Sequence, residues 1–464
     1  MTEIFIRQLL ILPQKWLKGD DNMSEKLLNR FRTIARVVIE ATTPFRVGSG
    51  NQSIETDSTV IKDINGLPYI PATTLAGIFR SSSKSGEEVF GYQSGDSGLG
   101  SKILFSDAKI MNASGEVIDT YSDAESDSFL KQYLHLPIRQ HVRIGTKGAA
   151  VDGAKFDEEI VYKGSRFCFE VEYLADSIDD GTLEEVLSVL NMDSFRIGSG
   201  SRNGFGAFKL VQAKIRHLDL SLPEHLLSYS GKSSSLCYSS FWDDCEVITL
   251  DSRHDGDWTR YKLSLSPIDF ILFGAGHGDL EGDADITPVR EKIVTWENSQ
   301  GIFKEVFIIP GTSIKGALAH RAAYHCNRSN SESVVDLYAL QSFDHSVGKN
   351  VLVDLFGSEG EEKSRGNVMI PDVVIDGRLS ETIMNHVVID NYSGGAIDGL
   401  LFAEKAVYAA GTDIDLEILV KTDSVSQRSI DAFEKALDDL CEGLLPLGGG
   451  VNRGHGRFSG SYTK

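Results

Sequence analysis

Gly198-Ser199-Gly200-Ser201-Arg202-Asn203-Gly204-Phe205-Gly206-Ala207-Phe208 and Gly448-Gly449-Gly450-Val451-Asn452-Arg453-Gly454-His455-Gly456-Arg457-Phe458 share glycine at four positions and phenylalanine at the last, 250 residues apart. A segment that recurs this way speaks for a duplicated unit, and duplication decides architecture before local propensity does. The register continues upstream: Leu183, Val186, Leu187 and Leu190 fall at helical spacing, as do Phe433, Ala436, Leu437 and Leu440. Each Gly-rich loop is therefore expected to follow an amphipathic helix. Thr182 with Glu185 predicts a capping box opening the first of these helices.

Further outward, Tyr69-Ile70-Pro71-Ala72-Thr73-Thr74-Leu75-Ala76-Gly77 parallels Ile308-Ile309-Pro310-Gly311-Thr312-Ser313-Ile314-Lys315-Gly316. Both read as a strand, a Pro-containing turn and a Ser/Thr-capped helix. Between these landmarks, His141-Val142-Arg143-Ile144 with Asp152, Gly153 and Phe156 parallels His386-Val387-Val388-Ile389 with Asp398, Gly399 and Phe402. First strands are expected at Thr33 to Glu40 and Arg260 to Leu265. The order in each half is β-α-β-β-α-β, which predicts an α+β chain of two tandem ferredoxin-like, RRM-like domains with long insertions. The halves are placed at 24–216 and 257–464, after an N-terminal extension at 1–23. The Ser-rich Ser228 to Ser240 and acidic Asp243 to Asp257 place a linker at 217–256.

Composition fits such a chain. The 464 residues are 41% hydrophobic and 24% charged, which excludes a disordered or fibrous protein. No apolar run approaches the ~18 residues that span a bilayer. Arg7, Lys15 and Lys18 around Leu9 to Leu12, with no small-residue cleavage site, argue against a signal peptide, so a cytoplasmic protein without a membrane partner is expected. Five scattered cysteines, never in a C-x-x-C pair, encode neither a disulfide framework nor a zinc knuckle. A net charge of −21 excludes indiscriminate nucleic-acid binding, so any phosphate recognition must be local.

Three constellations offer such local chemistry. The Gly-rich loops follow a helix and precede a strand, the reverse of a dinucleotide-binding fingerprint. They read either as tight turns needing positive φ or, with Arg202, Arg453, His455 and Arg457 among the glycines, as grips for a phosphate chain. The loop after each first strand has a glycine turn and then an isolated aspartate: Phe45-Arg46-Val47-Gly48-Ser49-Gly50 leads to Asp57 and Lys62, and Phe273-Gly274-Ala275-Gly276 leads to Asp285 and Lys292. By spacing alone such an aspartate is more often a turn or cap residue than a catalyst. The starts Thr73-Thr74 and Thr312-Ser313 are either ordinary N-caps or phosphate sites, with Lys84, Lys315 and Arg321 close by. The run Arg139, His141, Arg143 and Lys147 adds a positive patch.

Taken together, these motifs resemble the RAMP superfamily, specifically the repeated backbone subunits of type III CRISPR effector complexes of the Csm and Cmr kinds. A tandem fusion of two such domains is similar to the type III-D variants. The second half lies closer to the family pattern; in the first, Ala76 replaces the lysine seen at Lys315, and Thr59 is taken to stand in the place of Pro288. The resemblance implies a subunit that holds a CRISPR guide RNA, stacks with other effector subunits (a large polymerase-like subunit, other backbone and small subunits), and splays the guide–target duplex. It also implies endoribonuclease cleavage of target RNA near each loop aspartate, carried over by position as Asp57 and Asp285. The implied RNA-binding set is Arg46, Lys62, Arg80, Lys84, Arg143, Arg202, Lys315, Arg321, Arg453, His455 and Arg457, with Gly198, Gly200, Gly448 and Gly450. The roles of the His141 and His386 segments, near the family's protruding thumb, stay open.

The implied reaction needs only the 2′-OH of the RNA aligned with the scissile phosphate, giving a 2′,3′-cyclic phosphate. An aspartate of ordinary pKa, about 3.9, is a weak base for a hydroxyl, which favours Asp57 and Asp285 as holders of Mg²⁺ or another divalent metal ion over general bases. Two alternatives stand beside this: a catalytically silent RNA-binding scaffold of the same complex, and a ferredoxin-like module unrelated to RNA.

Overall fold

The computed structural model describes residues 30–52, 56–95, 97–145, 150–178, 180–250, 256–276, 278, 284–329, 347–358, 363–376 and 379–464. The expected extension 1–23 and Lys147 lie outside them. In the first half β1 (Phe31–Ala41) leads to α1 (Ala72–Ser82), a hairpin of β2 (Ile138–Ile144) and β3 (Ala150–Glu159), β4 (Arg166–Ala175), α2 (Thr182–Leu187) and β5 (Phe208–Asp219). The second half runs β6 (Thr259–Pro267), a hairpin of β7 (Arg290–Glu297) and β8 (Gln300–Ile309), α3 (Gly311–Ser329) and α4 (Val347–Phe356). It continues with a hairpin of β9 (Ser380–Ile389) and β10 (Ala396–Tyr408), then β11 (Ile414–Val420), α5 (Gln427–Cys441) and β12 (Phe458–Thr463).

Both sheets are antiparallel and share one strand order. In the first, β1 lies between β4 and β5, with Ile103–Phe105 beyond β4. In the second, β6 lies between β11 and β12, with Val368–Met369 beyond β11. Each first strand is thus central, flanked by β4 and β5 in one half and by β11 and β12 in the other, while the short Ile103–Phe105 and Val368–Met369 lie outside β4 and β11. Period-two alternation explains the layers: Ala35, Val37 and Ile39 join Leu75, Phe79, Leu183, Val186 and Leu187 in the helix-side core. In the second half Tyr261, Leu263 and Leu265 do the same with Leu318, Phe433, Leu437 and Leu440. Each of the buried Val, Ile, Leu and Phe side chains among them contributes roughly 1.5–3 kcal/mol relative to exposure.

Several expectations need correction. Residues 217–250 are not a spacer: Pro223–Ser230 is helical and Glu246–Val247 pairs with β5. Their apolar members cover the other face of the first sheet, where Phe241 and Trp242 pack with Ile34 and Leu218, and Leu236 with Val38 and Cys168. The serine-rich composition hid these few anchors. The Ser/Thr helix starts are not caps either. The Ala72 N–H donates to Asp107 Oδ1 and the Gly311 N–H to Asp372 Oδ1, both at 2.8 Å, so an internal carboxylate already occupies each positive helix end. Thr182 is the first helical residue rather than a cap; its N–H donates to Asp180 Oδ1 at 2.9 Å behind a left-handed Gly181. Val60 faces Gly48 as Pro288 faces Gly274, so the residue in the proline's place is Val60, not Thr59.

The halves are fastened by the β7–β8 hairpin. Phe303 packs against Phe129, Tyr133 and Tyr162 of the first half, and Trp296 Nε1 donates to the Gly164 carbonyl at 2.8 Å. Arg139, 8% exposed, donates to Glu291 at 2.8 Å and to Asp372 at 2.7 Å, both in the second half.

Candidate functional site

The two Gly-rich loops are superposable in their hydrogen bonding. Positive φ recurs at Gly198, Gly200, Gly204 and Gly206 and at Gly448, Gly450, Gly454 and Gly456. A Cβ on Gly206 would stand 2.2 Å from the Ile197 carbonyl oxygen, and one on Gly456 1.9 Å from that of Leu447, so only glycine fits. The Ser199 N–H donates to the Arg46 carbonyl at 2.9 Å, and the Gly449 N–H to the Leu272 carbonyl at 2.7 Å. Each Gly-rich loop is thereby clamped to the segment that leaves the first strand and leads to the loop aspartate.

Each aspartate is held against the base of its long hairpin. The Asp157 N–H donates to Asp57 Oδ2 at 3.1 Å, and the Ala403 N–H to Asp285 Oδ2 at 2.7 Å. In return, the Asp285 N–H donates to the Ala403 carbonyl at 2.8 Å, and the Asp57 N–H to Asp157 Oδ1 at 2.8 Å. One residue on, the Glu159 N–H donates to the Ser58 carbonyl and the Lys405 N–H to that of Ile286. Both aspartates are exposed, and the other carboxylate oxygen of each has no protein partner among the described residues. The first half adds a second, half-buried carboxylate, Asp157, where the second has Ala403.

Beneath each aspartate lies a buried glutamate that motif reading missed. Glu158 is 4% exposed and Glu404 0%. His141 Nε2 lies 2.9 Å from Glu158 Oε1, and Arg46 Nη1 3.1 Å from Oε2. His386 Nε2 lies 3.0 Å from Glu404 Oε1, His455 Nε2 3.2 Å from the same atom, and Arg453 pairs with Oε2. His141 stacks on Phe156 and His386 on Phe402, at 4.8 and 4.9 Å between ring centres. Burial pushes both carboxyls up, but the histidine and arginine partners more than reverse it and hold both below the ordinary glutamate value. The signal available in the sequence was Phe156-Asp157-Glu158 against Phe402-Ala403-Glu404, at the spacing of the other repeats.

The expected basic set divides by environment. Arg80, Lys84, Arg143 and Arg457 are exposed. Arg46, Arg453 and His455 converge on the buried glutamates, and Lys62 pairs with Glu159 at 3.3 Å. Arg321 pairs with Asp439 beneath α3. The first Gly-rich loop is packed against the second half: Lys315 Nζ donates to Asn203 Oδ1 at 3.1 Å, and Arg202 lies 4.9 Å over the Trp258 ring. Burial and the neighbouring Arg365 and Arg196 push the Arg202 guanidinium down to about 10. Beyond their bases the hairpins carry exposed apolar side chains: Val142, Ile144 and Phe156 in one, Val387, Ile389, Tyr392 and Leu401 in the other.

Among the described residues no helix is long and apolar enough to cross a membrane, and no group of three acidic, histidine or cysteine side chains forms a metal cage. A family model described as the RAMP superfamily matches residues 38–209 and 300–459, well over half of the chain. Among curated proteins none matches.

Proposed function

From the premise that the chain belongs to the RAMP superfamily, we propose that it is a guide-RNA-binding backbone subunit of a type III CRISPR effector complex that cuts target RNA. The proposed units are two ferredoxin-like domains, 24–216 and 257–464. The observation that carries the reading is the same arrangement met twice: an exposed aspartate fixed by a hairpin amide, beside a clamped Gly-rich loop and an apolar hairpin. A nucleic acid lying across both halves would meet two equivalent carboxylates. Exposed apolar hairpin residues suit the splaying of stacked bases, and exposed Arg80, Lys84, Arg143 and Arg457 suit backbone phosphates.

In the proposed reaction the target's 2′ oxygen attacks the adjacent phosphorus. The O2′–P bond forms, the P–O5′ bond breaks, the 2′ proton leaves to solvent and the 5′ oxygen takes one up. Holding the flipped nucleotide in line supplies most of the acceleration. One exposed carboxylate per loop, joined in the first half by the half-buried Asp157 of the hairpin, suits a Mg²⁺ that keeps most of its water and takes phosphate oxygens as ligands. Asp57, with Asp157 beside it, and Asp285 would hold such an ion, which when bound stabilises charge on the phosphoryl oxygens. The competing reading, a silent scaffold, draws on the anchoring of each aspartate to a backbone amide, a bond with a structural use of its own.

The test is to purify the tagged protein gently from its native host and sequence the RNA that accompanies it. Short RNAs with a repeat-derived end, together with other effector subunits, are expected. Assembled partners without enriched RNA would sink the reading.

A further inference from the structure

The histidines of the two hairpins, His141 and His386, have no part in the reading above, yet the structure gives them a common task. Glu158 and Glu404 are almost wholly removed from water. A glutamate is rarely buried unless paired, and each is paired to side chains from two different elements. On one side stands the histidine of the facing hairpin strand, His141 or His386, stacked on Phe156 or Phe402. On the other stands an arginine belonging to the Gly-rich loop or its clamp: Arg453 lies within that loop, and Arg46 donates from Nε to Ser199 Oγ at 2.9 Å while its carbonyl takes the Ser199 N–H. The backbone of the glutamate is itself next to the aspartate loop, through the Ile286–Glu404 bridge in one half and the Glu159 N–H to the Ser58 carbonyl in the other.

We propose that Glu158 and Glu404 are positioning residues, each a buried carboxylate that locks hairpin, Gly-rich loop and aspartate loop into one unit and so fixes the place of Asp57 and Asp285, respectively. The same three-way junction is built twice from different suppliers of the arginine. The aspartate takes its amide bond from the residue immediately before the glutamate, so a shift of that residue moves the carboxylate directly. The consequence for cleavage rests on the proposed function; the mechanical coupling does not.

The experiment uses the full chain with Glu404→Gln and, separately, Glu158→Gln, which keep shape and remove charge. Amide exchange in the intact protein is expected to quicken about tenfold or more at Asp285 and Ala403 in E404Q, with Asp57 and Asp157 unchanged, and the reverse in E158Q. In the assembled complex E404Q is expected to slow the cut assigned to Asp285 by ten- to about a hundredfold, the effect of an ångström-scale misplacement. The Asp57 cut and target affinity should stay within about twofold. His386→Phe, which keeps the stacked ring and loses the nitrogen, should slow the same cut, and serves if E404Q does not fold. Unchanged exchange at all four amides overturns the proposal, as does a loss of both cuts and of affinity together, the pattern of a general structural role. If the unmodified complex makes no cut, the functional reading fails, while the exchange measurement still decides the positioning role.

Discussion

Asp285 and Ala403 exchange two hydrogen bonds, the Ala403 N–H to the aspartate carboxylate at 2.7 Å and the Asp285 N–H to the Ala403 carbonyl at 2.8 Å. The pair joins a loop to the base of a hairpin more than a hundred residues away in sequence. Its counterpart in the other half, Asp57 with Asp157, keeps the carboxylate-to-amide bond and replaces the carbonyl by a second carboxylate. The two halves therefore present one side chain in one way, with different acidity around it.

That difference predicts unequal metal demand. Chelation of divalent ions is expected to stop cleavage while target RNA remains bound. On titrating Mg²⁺ back, the Asp57 cut should recover at lower concentration than the Asp285 cut, because a second carboxylate stands beside Asp57. Asp157→Ala should bring the two recovery curves together; single-turnover cleavage read by position measures this.

The junction of the halves rests on Arg139. Arg139→Ala leaves Glu291 and Asp372 largely buried without their cation, with Asp372 keeping only the Gly311 N–H, and removing one partner of such a group costs about 3–5 kcal/mol. Urea unfolding should show that loss. Arg139→Lys should recover only part of it, since lysine cannot bridge two carboxylates with a planar fork.

Gly456→Ala combines a left-handed φ of 74° with a Cβ placed 1.9 Å from a backbone oxygen. The conformational part alone costs roughly 1–2 kcal/mol, and the clash adds to it. Thermal unfolding should fall by more than an exposed substitution such as Lys84→Ala produces.

Asp439 gives a pH test. Burial pushes its carboxyl up, but Arg321 and His325 hold it below the ordinary value of 3.8. A carboxyl lowered in the folded state adds stability above that ordinary value and loses it as pH falls through the folded one. Asp439→Asn should therefore be less stable than the parent at neutral pH, with the gap narrowing below about pH 3.8. Equal gaps at neutral pH and at pH 3 contradict this.

Much of the fold was legible because the duplication exposed it. Leu183, Val186, Leu187 and Leu190, like Phe433, Ala436, Leu437 and Leu440, are buried as helical spacing requires. What failed was anything set by distant partners. Thr73 and Thr312 look like caps locally, yet the helix ends are taken by Asp107 and Asp372, each 35 or more residues away. Trp242 sits in a serine-rich, acidic stretch that reads as a tether, and nothing local says it covers the back of a sheet. At the candidate site, the resemblance is what singles out Asp57 and Asp285. Glu158 and Glu404 were overlooked because a glutamate on an alternating strand normally faces water, and only tertiary pairing with histidine and arginine buries it.

The central claim is that the two loop aspartates each direct one cut in a guide-paired target RNA. The direct test is to map the 5′ and 3′ ends of target fragments from complexes carrying Asp57→Ala, Asp285→Ala or both, with target binding measured alongside. Loss of one distinct cut in each single variant, loss of both in the double, and unchanged target affinity are predicted. Persistence of both cuts in the double variant would contradict the account.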